Sequence, residues 1–201
     1  MLELRDLAAV RSNTLLFRRL NLRLHAGEAL RVAGPNGAGT TTLLRIICGL
    51  TEPARGEVCW DSAPIRTLGD DYRARLGFLG HQEGHFGDLT AAENLLLAGR
   101  NVDAGAVAMV LGQVGLGAVA HQPARFLSQG QRRRLGLGRL LLLCAPLWIL
   151  DEPLTGLDHQ GVELTAHLLA RHLADGGLAV LTTHQDLPGL DGVLRQLDIG
   201  G

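Results

Sequence analysis

The chain has no lysine. All 19 of its cationic side chains are arginine, against 20 carboxylates in 201 residues, for a net charge of −1. That balance excludes the basic field a nucleic-acid partner needs, and no polybasic run is present to grip a lipid surface. Cysteine is scarce too. Cys48, Cys59 and Cys144 are isolated, with no CxxC pair and no zinc spacing, so all three are expected to be small buried side chains in a reducing compartment. Long apolar runs are missing: the most apolar stretch, LLLLCAPLWIL at 140–150, is interrupted by Pro146 and too short to span a bilayer. The opening MLELRD carries acids where a secretory signal needs a basic region, so no signal is expected there. Direct insertion in a membrane is therefore not expected, and work at a membrane requires a partner.

What the chain does have is an ordinary globular composition, 46% hydrophobic and 19% charged. Its length fits one domain burying roughly 70% of its unfolded surface. LELRDLAAV and LNLRLHAGE alternate apolar and polar residues as strands do, and EALRVAG runs straight into a glycine loop. TTTLLRIICGL from Thr40 gives an apolar helical face ending at Gly49. GEVCW at 56–60 and LGFLG at 76–80 read as short strands. From about 86 to 143 the pattern turns helical, LWIL at 147–150 fits a buried parallel strand, and VELTAHLLARHLA at 162–174 is helical again. LAVLTT at 178–183 returns to strand, and a short tail follows. Strands alternating with helices predict an α/β fold with a parallel core sheet, N-terminal antiparallel strands and an inserted helical subdomain. The core is expected over about 1–85 and 144–201, the helical insert over about 86–143.

Four segments carry chemistry. Gly34-Pro35-Asn36-Gly37-Ala38-Gly39-Thr40-Thr41-Thr42 between a strand and a helix has the layout of a phosphate loop. In such a loop glycines let successive amides curl around phosphates, the helix dipole adds positive potential, and a hydroxyl at Thr41 can ligate Mg²⁺. LWILDEP ends a buried strand on Asp151, able to hold Mg²⁺, and Glu152, able to polarise an attacking water. LSQGQRRR at 127–134 offers a serine, a glycine and a helix start, a second place for an anion. LTTHQ places His184 at the end of another buried strand.

In this order, the glycine loop, Gln82, LSQGQ, LWILDEP, LTGLD and LTTHQ resemble the nucleotide-binding subunit of ABC transporters, over essentially the whole chain. The resemblance implies a P-loop ATPase working as a head-to-tail dimer, with two molecules of ATP, each with Mg²⁺, sandwiched between the copies. Glu152 is then the base, His184 a contact to the γ-phosphate, and Gln82 a sensor of Mg²⁺ and of the membrane partner. Ser128, Gly130 and Gln131 meet the γ-phosphate held by the other copy, and Asp158 bridges the dimer. Gln129 departs from the family pattern, which has a glycine there. An aromatic ring near the N-terminus commonly stacks on adenine in this family; here the corresponding residue is Arg11, whose guanidinium plane can also stack on a base. LGHQEGHFGDLTAAENL, LTTHQ and the small size are similar to the cytochrome c biogenesis branch of the family. That similarity implies a peripheral subunit on the cytoplasmic face of a bacterial inner membrane, bound to an integral subunit of the CcmB type and further haem-handling subunits.

One position breaks the loop pattern. The residue before Thr41 is lysine in a standard phosphate loop and is Thr40 here. A lysine ammonium there sits between phosphates and follows the developing transition-state charge. Losing one partner of a desolvated charge pair costs ~2–5 kcal/mol, roughly 30- to several-thousand-fold in affinity or rate. Hydrolysis is expected to suffer more than binding. Two readings stand: a slowed ATPase subunit of a transporter, for haem or another substrate, and a regulatory subunit that binds nucleotide without hydrolysing it.

Overall fold

The computed structural model describes residues 1–80, 84–99, 102–190 and 192–200. The chain opens with β1 (Leu2–Arg11) and β2 (Thr14–Leu24). Between them Ser12 and Asn13 both have positive φ, 49° and 62°, the backbone of a two-residue turn that matches the right-handed twist of the flanking strands. The turn pairs Arg11 with Thr14 and so leaves Arg11 at the hairpin tip. β1 also pairs antiparallel with β4 (Arg55–Trp60), which folds back on β5 (Ala63–Pro64), for a sheet of order β2-β1-β4-β5.

β3 (Ala29–Ala33), β6 (Leu76–Leu79), β7 (Leu147–Asp151), β8 (Leu178–Thr182) and β9 (Leu194–Asp198) form the second sheet, order β6-β7-β8-β3-β9, parallel at every pairing. Every residue of β7 and β8 is buried, because the sheet is covered on both faces, which is why LWIL reads as a continuous apolar run. The pleat sends alternate side chains to opposite layers. Leu147 and Ile149 pack with Leu43, Leu44, Ile46 and Ile47 of α1 (Thr40–Ile47) and with the antiparallel sheet. Trp148 and Leu150 pack with the helices of the other face.

α2 (Ile65–Leu68) and α3 (Asp70–Arg73) are single turns without a side-chain cap, packed in the same core as α1. The helices of the other face start on caps the sequence spells out. α4 (Ala91–Leu96) opens on a Thr90/Glu93 capping box, and α5 (Ala104–Gln113) on Asp103. α6 (Gln129–Leu143) opens on a Ser128/Gln131 capping box, in which each side chain satisfies a backbone amide of the other. α7 (His159–Ala174) is capped by Asp158, whose Oδ1 accepts from the Gly161 amide at 2.8 Å; the helix therefore begins three residues before the periodic stretch at 162.

Two expectations need correction. The final segment is not a tail: β9 pairs with β3 from Ala29↔Leu194 to Ala33↔Asp198, an edge strand whose polar face hides it in the sequence. Cys48 and Cys59 are buried as expected, but Cys144 is exposed, held at φ 49° where α6 ends.

Candidate functional site

The C-terminal ends of β3, β7 and β8 open on one cleft of about 400 Å³, the place where open α/β sheets present their ligand-binding loops. Gly34, Pro35, Asn36 and Gly37 line it from the loop, Thr40 and Thr41 from the first turn of α1, Asp151 and Glu152 from the end of β7, and His184 from beyond β8. The glycines have distinct reasons. A Cβ on Gly34 would lie 2.6 Å from the Ile199 carbonyl oxygen, because the end of β9 passes against the loop. Gly39 takes φ +102° as the N-cap of α1, a conformation costly for any side chain. No side chain caps α1 and its first turn holds no acid, so the helix start presents amides and dipole without a competing anion. Ala38 packs toward the core rather than the cleft.

Thr42 faces the neighbouring groove, shared with Val10, Arg11, Thr41, Arg45 and Thr51. Thr41 lines both spaces, so Arg11 at the hairpin tip stands beside the first turn of the loop helix. Arg45 turns onto Thr51 at 3.5 Å. Among the described residues the cleft lining contains no arginine; its ionisable groups are Asp151, Glu152 and His184.

The two acids are held differently. Asp151 is buried, its Oδ1 accepting from Thr182 Oγ1 at 2.8 Å. Glu152 is partly open, has φ 51°, and its amide donates to Thr182 Oγ1 at 3.0 Å and to the Thr182 carbonyl at 3.2 Å. A non-glycine residue in that region stores strain and needs surrounding structure to hold it. Glu152 Oε1 lies 3.7 Å from Nε2 of the exposed His184. Together these groups can do three things: cradle phosphate oxygens on amides, hold a hard cation on oxygen donors, and polarise a water beside them. The Thr41 hydroxyl and the Asp151 carboxylate are oxygen donors lining the same cleft, the donor chemistry that Mg²⁺ takes.

Ser128, Gly130 and Gln131 are absent from this lining; they sit at the start of α6, with the Ser128 and Gln131 side chains engaged in the capping box. Asp158 is likewise apart, at the start of α7. Gln82 lies outside the described residues. Four contributors escaped the sequence reading: Thr155, which lines the cleft; Thr182; Arg31, whose Nε donates to the Thr183 carbonyl at 3.1 Å; and Arg133. Thr182 left a signal, a hydroxyl closing an apolar strand; Arg133 left none beyond being one of three adjacent arginines.

The ABC transporter family matches residues 17–155. The chain is 49% identical over 191 residues to the cytochrome c biogenesis ATP-binding export protein CcmA of Nitrosomonas europaea, covering 93% of this chain and 90% of that one. It is 44% identical to the protein of the same name from Vibrio cholerae, covering 100% and 99%. Among solved structures, it is similar to a dimeric bacterial ABC transporter cassette (TM-score 0.82, 26% identity, 98% and 94% covered). A dimeric ATP-binding cassette in a post-hydrolysis state with ADP and Pi is also similar (TM-score 0.83, 25% identity, 100% and 97% covered). The loop, the acids and the histidine thus meet in one cleft on a fold shared with these cassettes, under a family match spanning most of the sequence, and the chain belongs to the ABC transporter family.

Proposed function

We propose that this chain is the ATP-binding subunit of an ABC transporter complex serving cytochrome c maturation, coupling ATP hydrolysis to haem export or haem-chaperone release. The observation that carries this is the single cleft in which Thr41, Asp151, Glu152 and His184 converge on the phosphate loop; the names of the full-length relatives supply the process. Gly34 to Thr42 bind the phosphates through amides and hydroxyls. Arg11 stacks on the adenine beside Thr41. Thr41, Asp151 and Gln82 hold Mg²⁺, which when bound neutralises phosphate charge. Glu152 orients the attacking water as base, and His184, 3.7 Å from it, contacts the γ-phosphate.

Two copies pack head to tail. Ser128, Gly130 and Gln131 of one close on the γ-phosphate held by the other, and Asp158 bridges the pair. The similarity to dimeric cassettes supports this arrangement. No helix among the described residues is long and apolar enough to cross a membrane. The subunit works peripherally at the cytoplasmic face of the inner membrane, on an integral partner of the CcmB type. Within the chain, the core spans about 1–85 and 144–201 and the helical subdomain about 86–143.

Thr40 slows turnover. The lining has no arginine among the described residues, and that absence favours one further reading, a subunit that binds nucleotide without splitting it. Phosphate release from the complex, measured for the chain and for Thr40→Lys side by side, separates the two. Turnover in both, larger in the lysine variant, supports the motor; binding without turnover in either identifies the non-hydrolysing subunit.

A further inference from the structure

α6 reaches two places the proposed mechanism uses. Its start, at Ser128, is the part that meets nucleotide on the second copy. Little more than one turn in, the side chain of Arg133 is buried, 2% exposed, and runs to the end of β7. Nη1 donates to the Gly80 carbonyl at 2.7 Å, Nη2 to the Asp151 carbonyl at 2.5 Å and to the Glu152 carbonyl, and Nε to the Pro153 carbonyl at 3.2 Å. Glu152 is therefore gripped on both sides of its left-handed φ of 51°: its amide is held by Thr182 of β8, its carbonyl by Arg133 of α6. A second contact runs the same way. A Cβ on Gly156 would lie 2.7 Å from Cδ of Gln129, and one on Gly130 would lie 3.0 Å from the Gly156 carbonyl. The first turn of α6 and the segment following Glu152 are thus packed backbone against side chain, and neither shifts without the other.

We propose that Arg133 is a positioning residue that makes α6 a rigid link between the two nucleotide sites of the dimer. Engagement of Ser128 with ATP held by the second copy sets, through the guanidinium, the backbone of Glu152 in its own chain. The planar fork spans carbonyls of four residues on two strand ends, which a compact ammonium on a single stem cannot reproduce. The inference rests on the two-copy reading above, and its tests separate the two.

The direct test uses Arg133→Lys and Arg133→Gln in the full-length chain, with Thr40→Lys present where turnover is read. Amide hydrogen exchange without nucleotide is expected to rise about fivefold or more across 150–155 in both variants, a local opening as the carbonyl clamp is lost. Unchanged exchange there in whichever variant folds overturns the proposal, whatever the fate of the dimer. In turnover, Mg-ATP affinity should stay within about twofold of the parent while kcat falls about tenfold and the Hill coefficient drops toward one. Equal losses in affinity and kcat overturn it.

Co-expressed, differently tagged copies decide direction. A mixed dimer of Arg133→Lys with Glu152→Gln should run below about a tenth of parental turnover, since the defect falls on the one intact base. About half of parental turnover instead means that Arg133 serves only the start of α6, and the link is wrong. A parent that binds ATP without dimerising defeats the two-copy reading alone, leaving the exchange result to decide the clamp.

Discussion

The Thr182 hydroxyl donates to Oδ1 of the buried Asp151 at 2.8 Å, across the seam between β8 and β7. The same oxygen accepts from the Glu152 amide at 3.0 Å, so one hydroxyl orders both acids. Thr182→Val keeps the shape and removes the bonds. A buried acceptor left without its donor costs about 1–3 kcal/mol, and urea unfolding should show a loss in that range, largely restored by Thr182→Ser. A valine variant as stable as the parent would mean that Asp151 finds another donor.

Thr40 sits in the first turn of α1 on the cleft wall, and the arginine one turn on, Arg45, is committed to Thr51. Restoring lysine at position 40 is expected to raise ATP turnover at least tenfold, equivalent to only ~1.4 kcal/mol of transition-state stabilisation. Adding Glu152→Gln to that variant should abolish the gain while nucleotide binding persists. Steady-state phosphate release reads both; an unchanged rate in Thr40→Lys means that an arginine already supplies the charge if the parent turns over, and a non-hydrolysing subunit if neither protein does.

Ser128 caps α6 through the Gln131 amide at 3.1 Å. Ser128→Ala removes the cap and should cost ~1 kcal/mol of stability. Ser128→Asp retains a good cap acceptor and so should keep the melting temperature, while placing a negative charge where the proposed sandwich would dock the second copy's phosphate. ATP-dependent dimerisation, followed by sedimentation, should be lost in the aspartate variant. Parental dimerisation there would contradict the proposed sandwich.

His172 lies flat on the Trp148 ring, centroids 4.0 Å apart and planes within 9°, with Nε2 3.1 Å from the Leu178 carbonyl. Burial pushes its pKa below the ordinary imidazole value, only partly opposed by the Leu178 carbonyl and Asp175. In the unfolded chain the ring titrates near ~6.5. The folded state thus holds fewer protons than the unfolded state below that pH. The associated stability is fully present above it and is lost as pH falls toward the folded value. Melting temperature should drop between pH 7.5 and pH 5.5, and His172→Phe, which keeps the stacking but cannot titrate, should show a shallower drop. Identical slopes would assign the acid sensitivity to other groups.

The local devices were legible because their logic spans three or four residues. The glycines of the loop, the cap at Ser128 three residues before Gln131, and the acids closing LWIL all announce themselves along the chain. The buried strands were legible for a related reason: a strand covered on both faces must be apolar throughout. β9 was not, since LRQLD is mostly polar without strict alternation and becomes a strand only by pairing with β3, more than 160 residues earlier.

The sequence by itself determined the main strands and helices as far as β8, the phosphate loop with its missing lysine, and the acids, because each is written in local spacing and residue type. Only the tertiary structure decided that Gly34 must lack a side chain, that Thr182 serves both Asp151 and Glu152, and that Arg133 reaches from α6 to the strand end. Each of those depends on a neighbour brought alongside by a crossover: Ile199 is 165 residues from Gly34, and Thr182 is 31 from Asp151. A parallel sheet sets such neighbours by strand order, and strand order is fixed by how the faces pack, which no short window of residues records.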